Sequence, residues 1–259
     1  MESNNKGTSS LPFLLCANWK MHKNPDSVRD YIRAINKLPA LKYPKRFIFF
    51  APALTLFVLA EELVNSSYGW GAQNCHFEDQ GAFTGENSPL VLKQMGATYC
   101  LVGHSERRQL FFESEEMVQK KVKSLLNHSI QPIVCVGENI KERKNKQSFQ
   151  VVENQLSGIL KNIDSLDRIC VAYEPVWAIG TGKVAGVEQI TEMQEHIRHL
   201  CATEGKTLHF LYGGSVNEKN IKELSQIPGV NGFLIGSASL DPLSFFNLAQ
   251  NLVPAKAGI

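Results

Sequence analysis

No apolar run in this chain approaches the ~18 residues that a membrane-spanning helix requires, so no membrane association is expected. No block of one charge sign is present either: 27 Lys and Arg face 25 Asp and Glu, a formal net charge of +2. That balance argues against a nucleic-acid partner. The densest charged stretch, KERKNK at Lys141–Lys146, mixes charge with polar side chains and is expected to be a solvated loop. Six cysteines (Cys16, Cys75, Cys100, Cys135, Cys170 and Cys201) are scattered without a C-x-x-C pair. Four of them (Cys16, Cys100, Cys135 and Cys170) lie inside apolar runs, where cysteine behaves as a small hydrophobe. Neither a disulfide framework nor a zinc site is expected, and the chain suits a reducing cytoplasm. His22, His76, His128, His196, His199 and His209 show no metal spacing, and nothing resembles a nicotinamide or flavin fingerprint, so neither metal nor cofactor is expected. The opening MESNNKGTSS lacks a basic-then-apolar leader layout and is expected to be a flexible tail over residues 1–10.

What the chain does have is rhythm. Eight short apolar runs recur: FLLCA (13–17), RFIFFA (46–51), GWGAQN (69–74), TYCLVG (98–103), QPIVCVG (131–137), RICVAY (168–173), LHFLYG (208–213) and NGFLIG (231–236). They start at intervals of roughly 30 residues, the length of a βα unit. Their near-continuous apolarity is that of strands buried on both faces. Between them lie amphipathic stretches. Asn24-Pro25 offers a cap followed by a first-turn proline, and Ile32, Ile35 and Leu38 follow at helical spacing before Pro39. SFQVVENQLSGILKNI places Val151, Val152, Gln155, Leu156, Ile159 and Leu160 on about one face. Eight alternating units with no linker predict an α/β fold, a single-domain (β/α)8 barrel over residues 11–259. Periodicity alone also admits an open doubly wound sheet.

In such a barrel the chemistry sits where strands end. The polar residues that follow the runs are Asn18 and Lys20, Gln73 and Asn74, His104 and Glu106, Glu138, Glu174, Gly213-Gly214-Ser215, and Gly236-Ser237. Glu174 ends a buried run and opens PVWAIGTGK, a segment with proline at one end and Gly180 and Gly182 within it. A loop of that composition can close over a ligand. Closure would desolvate the carboxylate and raise its pKa and basicity, as abstraction of a carbon-bound proton needs. His104, in GHSERR, precedes Ser105, expected to be a helix N-cap; the helix N-terminus disfavours imidazolium. A neutral imidazole can donate to a developing enolate. Lys20 would place an ammonium on the same rim, to fix substrate charge and stabilise an oxyanion; a Schiff-base role is the alternative. YGGSVN and IGSASL are glycine-bearing turns where barrels commonly hold phosphate. Together these features imply enolisation of a small phosphorylated carbonyl compound.

The segments NWKM, GAQNC, GAFTGE, GHSERR, AYEPVWAIGTGK and YGGSVN closely resemble the signatures of the triosephosphate isomerase family, in order, from about residue 13 to the C-terminal helix. The resemblance implies interconversion of D-glyceraldehyde 3-phosphate and dihydroxyacetone phosphate through an enediol(ate). It implies Glu174 as the proton shuttle, His104 as the neutral electrophile, and Lys20 and Asn18 as groups that bind substrate and stabilise the enediolate. Backbone groups at Gly180, Ser215, Gly236 and Ser237 would hold the phosphate. Tyr212 and Ser215 would latch the closed lid, and Glu106 would support the rim. The family further implies a homodimer in which the loop 80–86, with Thr84 near its tip, inserts beside the partner's Asn18 and Lys20.

Three positions depart from the family pattern. Val184 stands where threonine is usual, Ser237 where a second glycine is common, and Asn231 where an acid is usual. A serine at 237 would strain the site if the turn required φ > 0. None of the three removes a catalytic group. The rival readings are another phosphosugar isomerase or an aldolase, and a non-catalytic barrel scaffold.

Overall fold

The computed structural model describes residues 13–41, 45–162, 168–179, 184–202 and 208–253. The tail expected over residues 1–10 and the lid residue Gly180 lie outside these. Each apolar run forms a strand: β1 (Phe13–Asn18), β2 (Lys45–Ala51), β3 (Gly69–Ala72), β4 (Tyr99–Val102), β5 (Gln131–Val136), β6 (Cys170–Tyr173), β7 (His209–Tyr212) and β8 (Val230–Ile235). All neighbours are parallel, and β8 pairs with β1 from Leu14↔Gly232 to Ala17↔Ile235. The sheet therefore closes in sequence order, which excludes the open sheet.

Closure explains why the runs lack visible alternation. Successive side chains point to opposite faces of a strand, and here both faces are apolar. Leu14, Cys16, Ile48, Phe50, Tyr99, Leu101, Ile133, Cys135, Cys170, Ala172, Leu211 and Leu234 form one buried cluster, the barrel interior. The intervening residues, such as Leu15, Phe49, Val134 and Val171, pack in a second cluster with the helices. β3 contributes Gly69 and Gly71 to the inner face. A Cβ at Gly71 would lie 1.9 Å from the Tyr99 carbonyl oxygen, so glycine there permits the close approach of β4.

The helices are α1 (Pro25–Asn36), α2 (Leu56–Glu62), α3 (Pro89–Gln94), α4 (Ser105–Leu110), α5 (Glu115–Asn127), α6 (Ile140–Lys144), α7 (Ser148–Leu160), α8 (Val187–Ala202), α9 (Ile221–Leu224) and α10 (Pro242–Asn251). The Asn24 side chain accepts from the Ser27 amide at 2.9 Å with Pro25 in the first turn, as the sequence predicts. On α7 the buried residues are Val152, Gln155, Leu156 and Ile159.

The charged stretch expected as a loop is different: 140–144 is helical. Asn139 accepts from the Lys141 and Glu142 amides, and Glu142 accepts in return from the Asn139 amide at 2.7 Å. This reciprocal cap satisfies the free N–H groups that would otherwise favour a loop. At the irregularity between β7 and β8, the Asn231 side-chain oxygen accepts from the Phe210 amide at 3.1 Å. An amide oxygen thus serves there in place of the usual acid. Among the described residues no helix is long and apolar enough to cross a membrane. All six cysteines are buried and free.

Candidate active site

Strand parity aims the site. Carried past the strand ends, the inner-face positions of β1 continue from Leu14 and Cys16 to Asn18 and Lys20, and those of β6 from Cys170 and Ala172 to Glu174. The mouth of the barrel holds a cavity of about 570 Å³ whose lining includes Asn18, Lys20, His104, Glu174, Ser215 and Gly236. Ser237 lines it as well. Residues from β1, β4, β6, β7 and β8 thus meet in one space although they span most of the chain.

Glu174 is 2% exposed. Its Oε1 lies 3.0 Å from His104 Nε2, and its Oε2 accepts from the Ser105 amide at 3.2 Å. Burial pushes the carboxyl pKa up, but the imidazole, the amide and the nearby Lys20 ammonium outweigh it, and the pKa is lowered from the ordinary carboxylate range. The sequence-based expectation of a raised value is therefore reversed in this arrangement. Desolvation is present, and specific donors more than compensate for it.

The cap of α4 also differs from expectation. The N-cap is His104, not Ser105: its Nδ1 accepts from the Glu106 amide at 3.3 Å. A ring nitrogen that accepts an N–H carries no proton of its own, and this contact matches the tautomer with its proton on Nε2, directed at Glu174. Burial disfavours the charged ring, while the neighbouring Glu174 carboxylate pulls the other way strongly enough to raise its pKa. The Glu106 carboxylate, 3.7 Å from Nδ1, adds to that rise, and the Lys20 ammonium opposes it.

Lys20 Nζ is 2.5 Å from Glu106 Oε1, which holds the ammonium at the rim. This contact engages the amine and disfavours the Schiff-base alternative, which needs a free one. Asn18 Oδ1 accepts from the Lys20 amide at 3.1 Å. Gly213 has a role beyond its turn: a Cβ there would stand 2.9 Å from Glu174 Cγ, so glycine leaves the carboxylate side chain room. Ser237 opens a 3-10 turn after Gly236 and is not among the described residues with positive φ, so its side chain strains nothing.

The first arm of the segment expected to close over the site is anchored. Ser215 Oγ donates to the Ala178 carbonyl at 2.7 Å. Glu138, to which sequence reasoning gave a strand-end position but no role, is fully buried and accepts from the Tyr173 hydroxyl, Trp177 Nε1 and Arg143. Its signal was the strand-end position itself. At the far arm, the Tyr212 hydroxyl is buried. Burial raises its pKa to about 12, and the Ala185 amide opposes that rise without making a hydrogen bond of standard geometry. Val184 is exposed.

Thr84 sits on the exposed loop 80–86, away from the cavity of its own barrel. Phe83 stacks on His76 at 4.0 Å, and Asp79 pairs with His128 at 2.6 Å, which together brace the loop. Beside Asn18 and Lys20 lies a separate cleft of about 310 Å³ reaching Met21, Gln73, Glu86 and Phe111. No group of three or more His, Cys, Asp or Glu able to hold a metal is found among the described residues.

Against known proteins, the sequence profile of the family described as triosephosphate isomerase matches residues 13–252. A triosephosphate isomerase of Bdellovibrio bacteriovorus is 43% identical over 238 residues, covering 92% of this chain and 98% of that protein. One from Aquifex aeolicus is 43% identical over 244 residues, with the same coverage of both. One from Lactobacillus gasseri is 42% identical over 246 residues, covering 92% and 97%.

Proposed function

Given that the chain belongs to the triosephosphate isomerase family and interconverts D-glyceraldehyde 3-phosphate and dihydroxyacetone phosphate, we propose that Glu174, His104, Lys20 and Asn18 carry the reaction. The reading rests on one observation above all: the Glu174 carboxylate and the His104 Nε2–H meet at 3.0 Å on the wall of a cavity that Lys20 also lines. A substrate oxygen takes the Nε2–H in place of Glu174. The freed carboxylate then removes a proton from one carbon and returns it to the next, while the hydroxyl proton on one substrate oxygen passes to the former carbonyl oxygen. Negative charge that develops on oxygen meets the imidazole N–H and the Lys20 ammonium, donors already in place. Aldose and ketose are isomers, so the transfers balance without an electron acceptor or any cofactor. The neutral imidazole and the closing loop are established features of this family and are carried over here from it.

The phosphate is held by backbone groups at Ser215, Gly236 and Ser237, with Gly180 from the lid. Glu106 supports Lys20, and Ser215 and Tyr212 latch the two arms of the lid. The protein acts as a homodimer in the cytoplasm. The loop 80–86 places Thr84 in the cleft beside the partner's Asn18 and Lys20, and the exposed side chains of Met21 (95%), Leu54 (94%) and Phe112 (85%) favour burial by a second copy. Six free, buried thiols suit a reducing compartment.

Isomerisation assays of the wild type beside Glu174→Gln test the assignment. The substitution is expected to slow the chemical step by at least ~10²-fold. Turnover near that of the wild type would remove Glu174 from the base's role.

A further inference from the structure

Gln73 follows Gly69 and Gly71 on the inner parity of β3 and has no part in the reaction above. Its side-chain Nε2 donates two hydrogen bonds, at 2.9 Å to the Lys20 carbonyl and at 2.9 Å to the Phe50 carbonyl. The first of these falls on a residue under strain. Lys20 has φ of +50°, left-handed backbone that a residue with a Cβ adopts only against steric opposition. Such a conformation persists when its surroundings over-determine it, and both peptide groups of Lys20 are held by side chains. Asn18 takes the N–H side at 3.1 Å, and Gln73 takes the C=O side. The Trp19 amide also donates to the Phe50 carbonyl, at 3.2 Å, so the end of β1, the left-handed turn and β2 converge on one node.

We infer that Gln73 is a positioning residue for Lys20: it holds the left-handed turn that aims the ammonium into the cavity. The inference rests on the reading of Lys20 as the substrate's cation. Relaxation of φ to negative values would swing the Cα–Cβ bond of Lys20. The four-carbon stem would then carry that rotation out to Nζ, away from Glu106 and the mouth. A side chain that bridges two carbonyls must present two N–H groups at its tip. Methionine would fill the same space without donors, and glutamate would set a carboxylate against two carbonyl oxygens.

A double-mutant cycle tests this. Gln73→Met and Lys20→Ala, singly and together, are assayed for kcat and KM on the two triose phosphates, with melting midpoints and sedimentation in parallel. Gln73→Met is expected to lower kcat/KM about 10-fold or more when Lys20 is present, as a displaced catalytic group does. In the Lys20→Ala background it is expected to change kcat/KM less than about 3-fold, because residues that act through one another are not additive. Equal losses in both backgrounds, tracking a lower melting midpoint, would make Gln73 a structural tie and overturn the inference. Gln73→Met with wild-type kinetics would overturn it as well. Wild-type kinetics in Lys20→Ala alone would overturn the reading of Lys20 itself, a separate and recognisable failure. Should Gln73→Met not fold, Gln73→Glu decides. Its activity relative to wild type is expected to rise as pH falls and the carboxyl gains a proton to donate; a flat ratio would overturn the inference.

Discussion

His104 Nε2 and Glu174 Oε1 lie 3.0 Å apart, so the imidazole and the carboxylate are each other's hydrogen-bond partners. Burial alone would push the Glu174 pKa up, yet it stands below its ordinary value because His104 and the Ser105 amide stabilise the anion. In the proposed role, a base held ionised in this way keeps its activity to lower pH than an unpartnered one. Replacement of His104 by Ala removes the largest opposing influence, so the Glu174 pKa should rise. The acid limb of the kcat/KM profile is then expected to move to higher pH, on top of a loss of about 10²-fold. A limb that stays in place would show that His104 does not govern the ionisation of Glu174.

Gly213 offers a test of geometry with little change in chemistry. Its missing Cβ would sit 2.9 Å from Glu174 Cγ and 3.4 Å from the Tyr173 carbonyl oxygen. The nearer atom belongs to a flexible side chain, so Gly213→Ala should displace the base and spare the fold. We expect kcat to fall about 10-fold or more with a melting midpoint close to that of the wild type. Undiminished kcat would show that the base does not need this space.

Below the site, Lys121 is 1% exposed and donates to Asn74 Oδ1 at 2.9 Å and to the buried Glu113 carboxylate, which also meets Arg107. Glu113→Ala leaves a buried ammonium without its counter-charge. A stability loss of ~3–5 kcal/mol in urea unfolding is expected. Pairing it with Lys121→Met should restore part of that loss, since no charge then stays buried alone. If the double variant proves less stable than Glu113→Ala, the loss has its source in packing.

The proposed homodimer predicts that specific activity falls as the protein is diluted, in step with a sedimentation shift from dimer to monomer. The cleft beside Lys20 would open to water once the partner's loop leaves it. A monomer with full activity across the dilution series would separate the loop at Thr84 from the chemistry.

Much of this was legible in the chain. Strands buried on both faces must be apolar throughout, so runs such as RICVAY and QPIVCVG marked β6 and β5 to within two residues at either end. The polar residue that ends such a run must lie at the barrel mouth, which is why Asn18, Lys20, His104 and Glu174 could be named together. Helix α6 was missed because its start depends on a reciprocal cap between Asn139 and Glu142, and a mixed-charge composition hides that cap.

Local sequence thus determined the strands, their order and which side chains stand at the rim, because burial and parity act over a few residues. Only the tertiary structure decided how those side chains meet. The bond from the Ser105 amide to Glu174 spans 69 positions of the chain, and that from Gln73 to Lys20 spans 53. Such partners come together only when β8 closes on β1 and brings all the strand ends to one mouth. Those partners, absent from any short stretch of sequence, lower the pKa of Glu174 and hold Lys20 in its left-handed turn.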